Sequence, residues 1–178
     1  MKLPHLSRSV SIILPAALTN ALILRLERRL ISSNIRLDSK RIDDYLAIGG
    51  YTALVKVLFE MGPEAVLEEI KNSNLRGRGG AGFPAGRKWE GSRNAPGEPK
   101  YVLVNADEGD PGAFMDRALL EGNPHSVLEG LMIGGFTIGA NEGYIYVRQE
   151  YPLAVENVTL AIRQAEAHGR VAQDHITT

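Results

Sequence analysis

Two short apolar runs, YVLVN (Tyr101 to Asn105) and YIYVR (Tyr144 to Arg148), stand on either side of a helix-length apolar segment. Valine, isoleucine and tyrosine suit a pleated, half-buried backbone, and each run is too short for a helix, so both read as strands. Between them Asn123-Pro124 starts a helix, with Asn as N-cap and Pro at the first helical position. Val127, Leu128, Leu131, Met132 and Ile138 form its buried stripe, and Gly139 to Gly143 ends it. Pro152 to His168 is a second amphipathic helix, closed by Gly169. The order strand, helix, strand, helix predicts an α/β fold with parallel strands and right-handed crossovers. Ligands of such sheets sit at the carboxyl ends of the strands, where this sequence turns polar: Asn105-Ala106-Asp107-Glu108 and Arg148-Gln149-Glu150.

Ahead of the strands Gly77, Gly79, Gly80, Gly82 and Gly86 crowd into a stretch that no helix or strand interior tolerates, so it reads as a loop. A polar, Pro-containing segment, Glu90 to Lys100, leads from it to the first strand. Gly77-Arg78-Gly79-Gly80-Ala81-Gly82 satisfies G-x-G-x-x-G. It follows a helical, charged segment and runs on into Phe83-Pro84, whereas the dinucleotide fingerprint follows a strand and opens a helix. The conventional dinucleotide turn is therefore the wrong reading. What survives is the physics of the glycines: backbone without Cβ atoms lets N–H groups approach a phosphate or an aromatic ring, with Arg76, Arg78, Arg87 and Lys88 supplying positive charge. A flexible linker with solvated arginines is the weaker reading, because linkers are Gly/Ser-rich and this loop alternates glycine with Arg, Phe and Pro.

Asn105, Asp107, Glu108 and Asp110 crowd the end of the first strand. Carboxylates this close repel one another, so they are best aimed at donors such as sugar hydroxyls, ring N–H groups or the upstream arginines. Mg²⁺ is the rival use, although no histidine accompanies them; an ordinary acidic turn, D-P-G, is the bland one. Tyr144 and Tyr146 share a strand face by alternation, and Glu150 extends the strand end toward the same crevice. His125 falls in the first turn of its helix, and the lone Trp89 is assigned to packing.

The 178 residues suffice for one domain with a small appendage, and a net charge of −1 calls for no nucleic-acid partner. Zero cysteines exclude disulfides, thiolate metal sites and Cys-ligated clusters from this chain. Residues 1–38 read as an N-terminal arm, or a misplaced start. Their apolar run, Val10 to Leu24, is broken by Pro15, Thr19 and Asn20 and falls short of the ~20 residues of a membrane span. A helical prelude occupies 39–73: RIDDYLAI ends at Gly49-Gly50, TALVKVLFEM stops at Gly62-Pro63, and PEAVLEEIKNS puts Ala65, Val66 and Ile70 on one face. The α/β domain covers 74–170, and 171–178 is a divergent tail.

The blocks LRGRGGAGFPAGRKW (Leu75 to Trp89), VNADEGDPGAFMDR (Val104 to Arg117), NPHSVLEG (Asn123 to Gly130) and GYIYVRQEYP (Gly143 to Pro152) closely resemble the NADH-binding flavoprotein subunit of respiratory complex I. The same blocks occur in its relatives, the diaphorase subunits of NAD(P)-linked hydrogenases and formate dehydrogenases. GDPGAFMDR and DDYLAIGGYTAL are closer to the hydrogenase-associated members. The resemblance implies a Rossmann-like FMN-binding domain, preceded by a helical segment, that passes hydride from nicotinamide C4 to FMN N5 and electrons onward to iron–sulfur centres. Carried over by position, Gly77, Arg78, Gly79 and Lys88 contact FMN from the loop. Asn105, Asp107 and Glu108 contact it from the first strand end, and Tyr146, Gln149 and Glu150 from the second. Phe83 and Asp110 face NADH, and Glu108, Tyr146 and Glu150 position the flavin. Gln149 replaces a glycine common in complex I. The family's [4Fe-4S] cluster has no ligands in this chain, which the resemblance marks as a fragment lacking the later flavin-binding segment and the cluster domain. Implied partners are NADH and the iron–sulfur subunits of a larger redox complex. The implied location is the cytoplasm, either free or peripheral to a membrane complex through those partners, with no direct membrane insertion. The rival reading is a non-catalytic nucleotide-binding or interaction remnant.

Overall fold

A computed structural model describes residues 38–169. Apart from Asp38, the expected arm and the tail lie outside these residues. The prelude forms three helices, α1 (Ile42–Ala47), α2 (Thr52–Glu60) and α3 (Pro63–Asn72), and a fourth, α4 (Ala85–Asn94), follows the glycine loop. Then come β1 (Tyr101–Ala106), α5 (Met115–Gly122), α6 (Pro124–Ile138), β2 (Glu142–Val147) and α7 (Pro152–Ala167). β1 and β2 pair in parallel, Tyr101 with Glu142 through Ala106 with Val147, as the strand–helix–strand order predicts. The α/β class with parallel strands therefore stands.

α4 and α5 correct the expectations. Glu90 to Asn94 is helical where an irregular polar segment was expected, and the loop ends at Pro84. Gly86, Gly91, Ser92 and Asn94 are poor helix formers, so propensity hid α4, and tertiary packing decides it. Gly86 sits where α3 and α4 touch: a Cβ there would lie 2.6 Å from Lys71 Cγ and 3.0 Å from Lys71 Cα. In α3 the buried face is Val66, Leu67 and Ile70, and Ala65 is exposed. The helix presents the i, i+1, i+4 edge, which leaves Ala65 one position off the stripe.

α6 carries the core. Asn123 caps it as expected, its Oδ1 accepting from Ser126 N at 3.2 Å, and Gly139 ends it at φ 79°. Instead of one stripe, nearly the whole helix is buried, because α1, α2, α3, α4, α5, α7 and both strands pack around it. Its polar residues are internally satisfied. The Glu129 carboxylate accepts from the Tyr45 hydroxyl, from Tyr51 N at 2.9 Å and from Leu54 N at 3.0 Å, which ties α1 and the start of α2 to α6. Gly50 is required by the same packing, since a Cβ there would fall 2.2 Å from the Tyr45 ring. Prelude and α/β segment thus share one core, in which Ile42, Leu54 and Ile70 join Val102, Leu131 and Trp89.

Among the described residues the sheet is covered on one face only. Val102, Val104, Ala106, Ile145 and Val147 pack toward α5, α6 and α7. The opposite face leaves Tyr101, Leu103, Tyr144 and Tyr146 each at least half exposed. Tyr101 and Tyr144 lie side by side there, ring centroids 6.0 Å apart.

Candidate functional site

The glycine loop is closed at its neck. Gly77 N donates to Phe83 O at 2.9 Å, Ala85 N to Leu75 O at 2.8 Å, and Arg76 Nη1 to Gly82 O at 3.0 Å. Gly80 and Gly82 adopt φ of 98° and 59°, where L side chains are strained, so these two need glycine for the turn itself. Gly79 needs it for another reason or for none internal to the protein: a Cβ there meets nothing within 4 Å. The loop follows helix α3, as the sequence indicated, but Pro84 opens α4 directly after it. Half of the dinucleotide-turn context is therefore present, and the expected absence of a following helix is corrected. The exposed side chains of Arg78, Arg87 and Lys88 make no hydrogen bond or ion pair among the described residues. Lys88 lies in the first turn of α4, where free backbone N–H groups add positive potential. Phe83, whose carbonyl closes the neck, has a half-exposed side chain.

The strand ends form the second part. Asn105 and Tyr146 are register partners and, by alternation, occupy the uncovered face. Asn105 Oδ1 accepts from Asp107 N at 2.9 Å, an Asx turn that directs the chain out of β1. Arg148, just past β2, donates from Nη2 to Glu150 Oε1 at 2.9 Å and lies 3.7 Å, through Nη1, from Asp107 Oδ1. This guanidinium holds the Glu150 carboxyl below the usual carboxylate range. The strand ends thus bring Asn105, Tyr146, Asp107 and Glu150 together. Gln149 and Asp110 are exposed, and their side chains make no hydrogen bond or ion pair among the described residues.

Glu108 is engaged otherwise. Its Oε1 accepts from Met115 N at 2.6 Å and Asp116 N at 3.0 Å, and its Oε2 from Arg117 N at 3.2 Å. A carboxylate on the orphan N–H groups of a helix start is a strong local cap, which explains how α5 rises out of what reads in sequence as an acidic turn. The turn is reinforced by the Tyr151 hydroxyl on Glu108 O at 3.3 Å, with Arg117 stacked over the Tyr151 ring at 5.4 Å. Burial, helped by Glu108, raises the Asp116 carboxyl above its ordinary value. Among the described residues no His, Asp and Glu cluster suited to a metal ion occurs.

Sequence reasoning passed over Arg148, treating it only as strand-end polarity, and over the Tyr45, Tyr51, His125 and Glu129 network. An H-x-x-x-E pair on one helix face, His125 and Glu129, was the available signal for the second.

A parallel pair with polar carboxyl ends and an open glycine loop leading into a helix defines an α/β cofactor-binding module. Residues 70–177 match the family model of the Nuo51 FMN-binding domain, and the chain belongs to that family. It is 51% identical over 138 residues to the NADP-reducing hydrogenase subunit HndC of Solidesulfovibrio fructosivorans, covering 78% of this chain and 28% of that protein. It is 49% identical over 128 residues to an NADH-quinone oxidoreductase subunit of Aquifex aeolicus (strain VF5), covering 72% of this chain and 30% of that one. A crystal structure of an NAD+-reducing [NiFe]-hydrogenase in the H2-reduced state superposes with a TM-score of 0.60 at 31% identity, covering 80% of this chain and 24% of that chain. The chain thus spans less than a third of the length of the relatives it matches. Among the described residues no helix is long and apolar enough to cross a membrane.

Proposed function

We propose that this chain supplies the glycine-loop and strand-end half of an FMN site in an NAD(P)H-oxidising diaphorase module. The observation that carries the reading is the joining of both strand ends: Asn105 beside Tyr146 on the open face, and Asp107 tied through Arg148 to Glu150. The donor set fits the cofactor. Glycine N–H groups with Arg78 and Lys88 suit a phosphate, while Asn105, Asp107, Tyr146 and Glu150 suit hydroxyls and ring N–H groups. When bound, FMN supplies the exchange between two-electron hydride chemistry and one-electron transfer.

The chain's own residues bind and orient. Gly77 and Gly79 leave the backbone accessible, Lys88 and Arg78 offset phosphate charge, and Asn105, Asp107, Tyr146, Gln149 and Glu150 fix the flavin from the strand ends. Glu108 acts mainly through α5, whose start it holds, and the exposed Phe83 and Asp110 are assigned to the dinucleotide. Onward electron transfer falls to iron–sulfur centres held outside these 178 residues, which contain no cysteine. Titration of the purified chain with FMN, followed by flavin fluorescence, tests the reading. Near-equimolar saturable uptake is the expected result, and no uptake overturns it.

A further inference from the structure

Arg148 bridges a carboxylate at each of the two strand ends. Its guanidinium reaches Glu150 through Nη2 at 2.9 Å and Nε at 3.5 Å, and Asp107 through Nη1 at 3.7 Å. Asp107 follows β1 and Glu150 follows β2, so one planar cation spans the gap between the strands at their carboxyl ends. The backbone is shaped to admit it: a Cβ at Gly109 would lie 3.1 Å from Nη1, so any larger residue there crowds the guanidinium. The side chain is the most sheltered of the three, 29% exposed against 51% for Asp107 and 62% for Glu150. An extended fork anchored on a sheltered stem presents the two carboxylates in fixed directions, which a lysine point charge does less well.

We propose that Arg148 is a positioning residue of the flavin site, aiming Asp107 and Glu150 at ligand donors and cancelling the charge with which they would repel an anionic flavin. The inference rests on the FMN reading above. Without the guanidinium, two neighbouring carboxylates face an incoming phosphate-bearing ligand unpaired and free to rotate. Glycine at position 109 then has a role in binding that does not involve touching the ligand.

The test is FMN titration of the full chain and three variants, with thermal melting of each. Arg148→Gln is expected to weaken FMN binding about tenfold, the order of one charge-assisted hydrogen bond, with an unchanged melting temperature. Arg148→Lys restores charge and is expected to recover to within about threefold of the parent. Gly109→Ala, which displaces the guanidinium without changing charge, is expected to lose affinity in the same direction. If the parent binds FMN and Arg148→Gln matches it, or if its loss is mirrored by a fall in melting temperature and lysine does not rescue, the inference is overturned. A parent chain that takes up no FMN overturns the functional reading and this inference together, and that result is read before any variant is made.

Discussion

Tyr51 and His125 meet inside the molecule with the tyrosine hydroxyl oxygen 2.9 Å from Nδ1. On the other side of the ring Nε2 lies 3.0 Å from Gln164 Oε1, and Gln164 Nε2 donates to Lys40 O at 2.7 Å, which orients the amide. Nε2 therefore carries the hydrogen, and Nδ1 accepts from Tyr51. The imidazole is neutral, and burial holds it below its ordinary value.

This has a definite sign with pH. A base whose folded-state value is depressed stays neutral while the unfolded chain takes up a proton, so its contribution is present above about pH 6.5 and is lost as pH falls below it. The expected slope is up to about 1.4 kcal/mol per pH unit. Urea midpoints between pH 7.5 and 5.5 measure it, and His125→Gln, which does not titrate, is expected to flatten the profile while lowering stability throughout. Glu64, held low by its own backbone N–H and then by Arg93, and Glu150, held low by Arg148, act in a more acidic window and do not confuse the assignment.

Glu129→Ala removes the acceptor of the buried Tyr45 hydroxyl and of the N–H groups of Tyr51 and Leu54. The expected loss is about 3 kcal/mol or more in chemical denaturation. Hydrogen exchange should quicken at Tyr51 and Leu54 before it does in α6, because the contact joins two elements.

Two glycines of α4 should respond oppositely to alanine. Gly86→Ala drives a Cβ against Lys71 and is expected to cost about 1 to 3 kcal/mol. Gly91→Ala meets nothing within 4 Å and should gain roughly 0.5 to 1 kcal/mol from backbone entropy. Melting temperatures that move together would mean that α4 does not pack on α3 as described.

Gly79→Asp places its side chain in open space, so the fold should survive while a carboxylate at the loop repels FMN phosphate. The expected readout is unchanged circular dichroism with flavin uptake abolished. Lys88→Ala should weaken FMN by about 1 to 3 kcal/mol, again with the melting temperature unmoved.

Glu108→Ala separates local structure from ligand contact. Losing the carboxylate at the start of α5 is expected to cost about 1 kcal/mol of stability. Any FMN effect should then be smaller than that of Lys88→Ala, measured by the same titration.

The elements that carry strong local signals were legible. Asn123-Pro124 and Gly139 bracket α6 as the cap rules require, and alternation set Tyr144 and Tyr146 on one face of β2. What stayed hidden depends on partners distant in sequence or on side-chain direction. α4 owes its shape to Lys71 and the core around Trp89, and α5 is started by a carboxylate seven residues upstream of Met115. Arg148 reads as one more surface charge until β1 delivers Asp107 beside it. The polar strand ends were legible as a candidate site and the family resemblance assigned them to flavin, but the commitment of Glu108 to a helix start required the fold.

Trp89 is the one tryptophan of the chain, and it is buried on α4, one residue beyond Lys88 and within the helix that the glycine loop opens. Its emission therefore arises from a single known place in the core. Flavin absorbs in the region where tryptophan emits, so a flavin held by the loop drains that emission by resonance transfer, whereas unfolding shifts its colour toward the red. One intrinsic optical signal distinguishes an empty folded chain, a loaded one and an unfolded one without any added label.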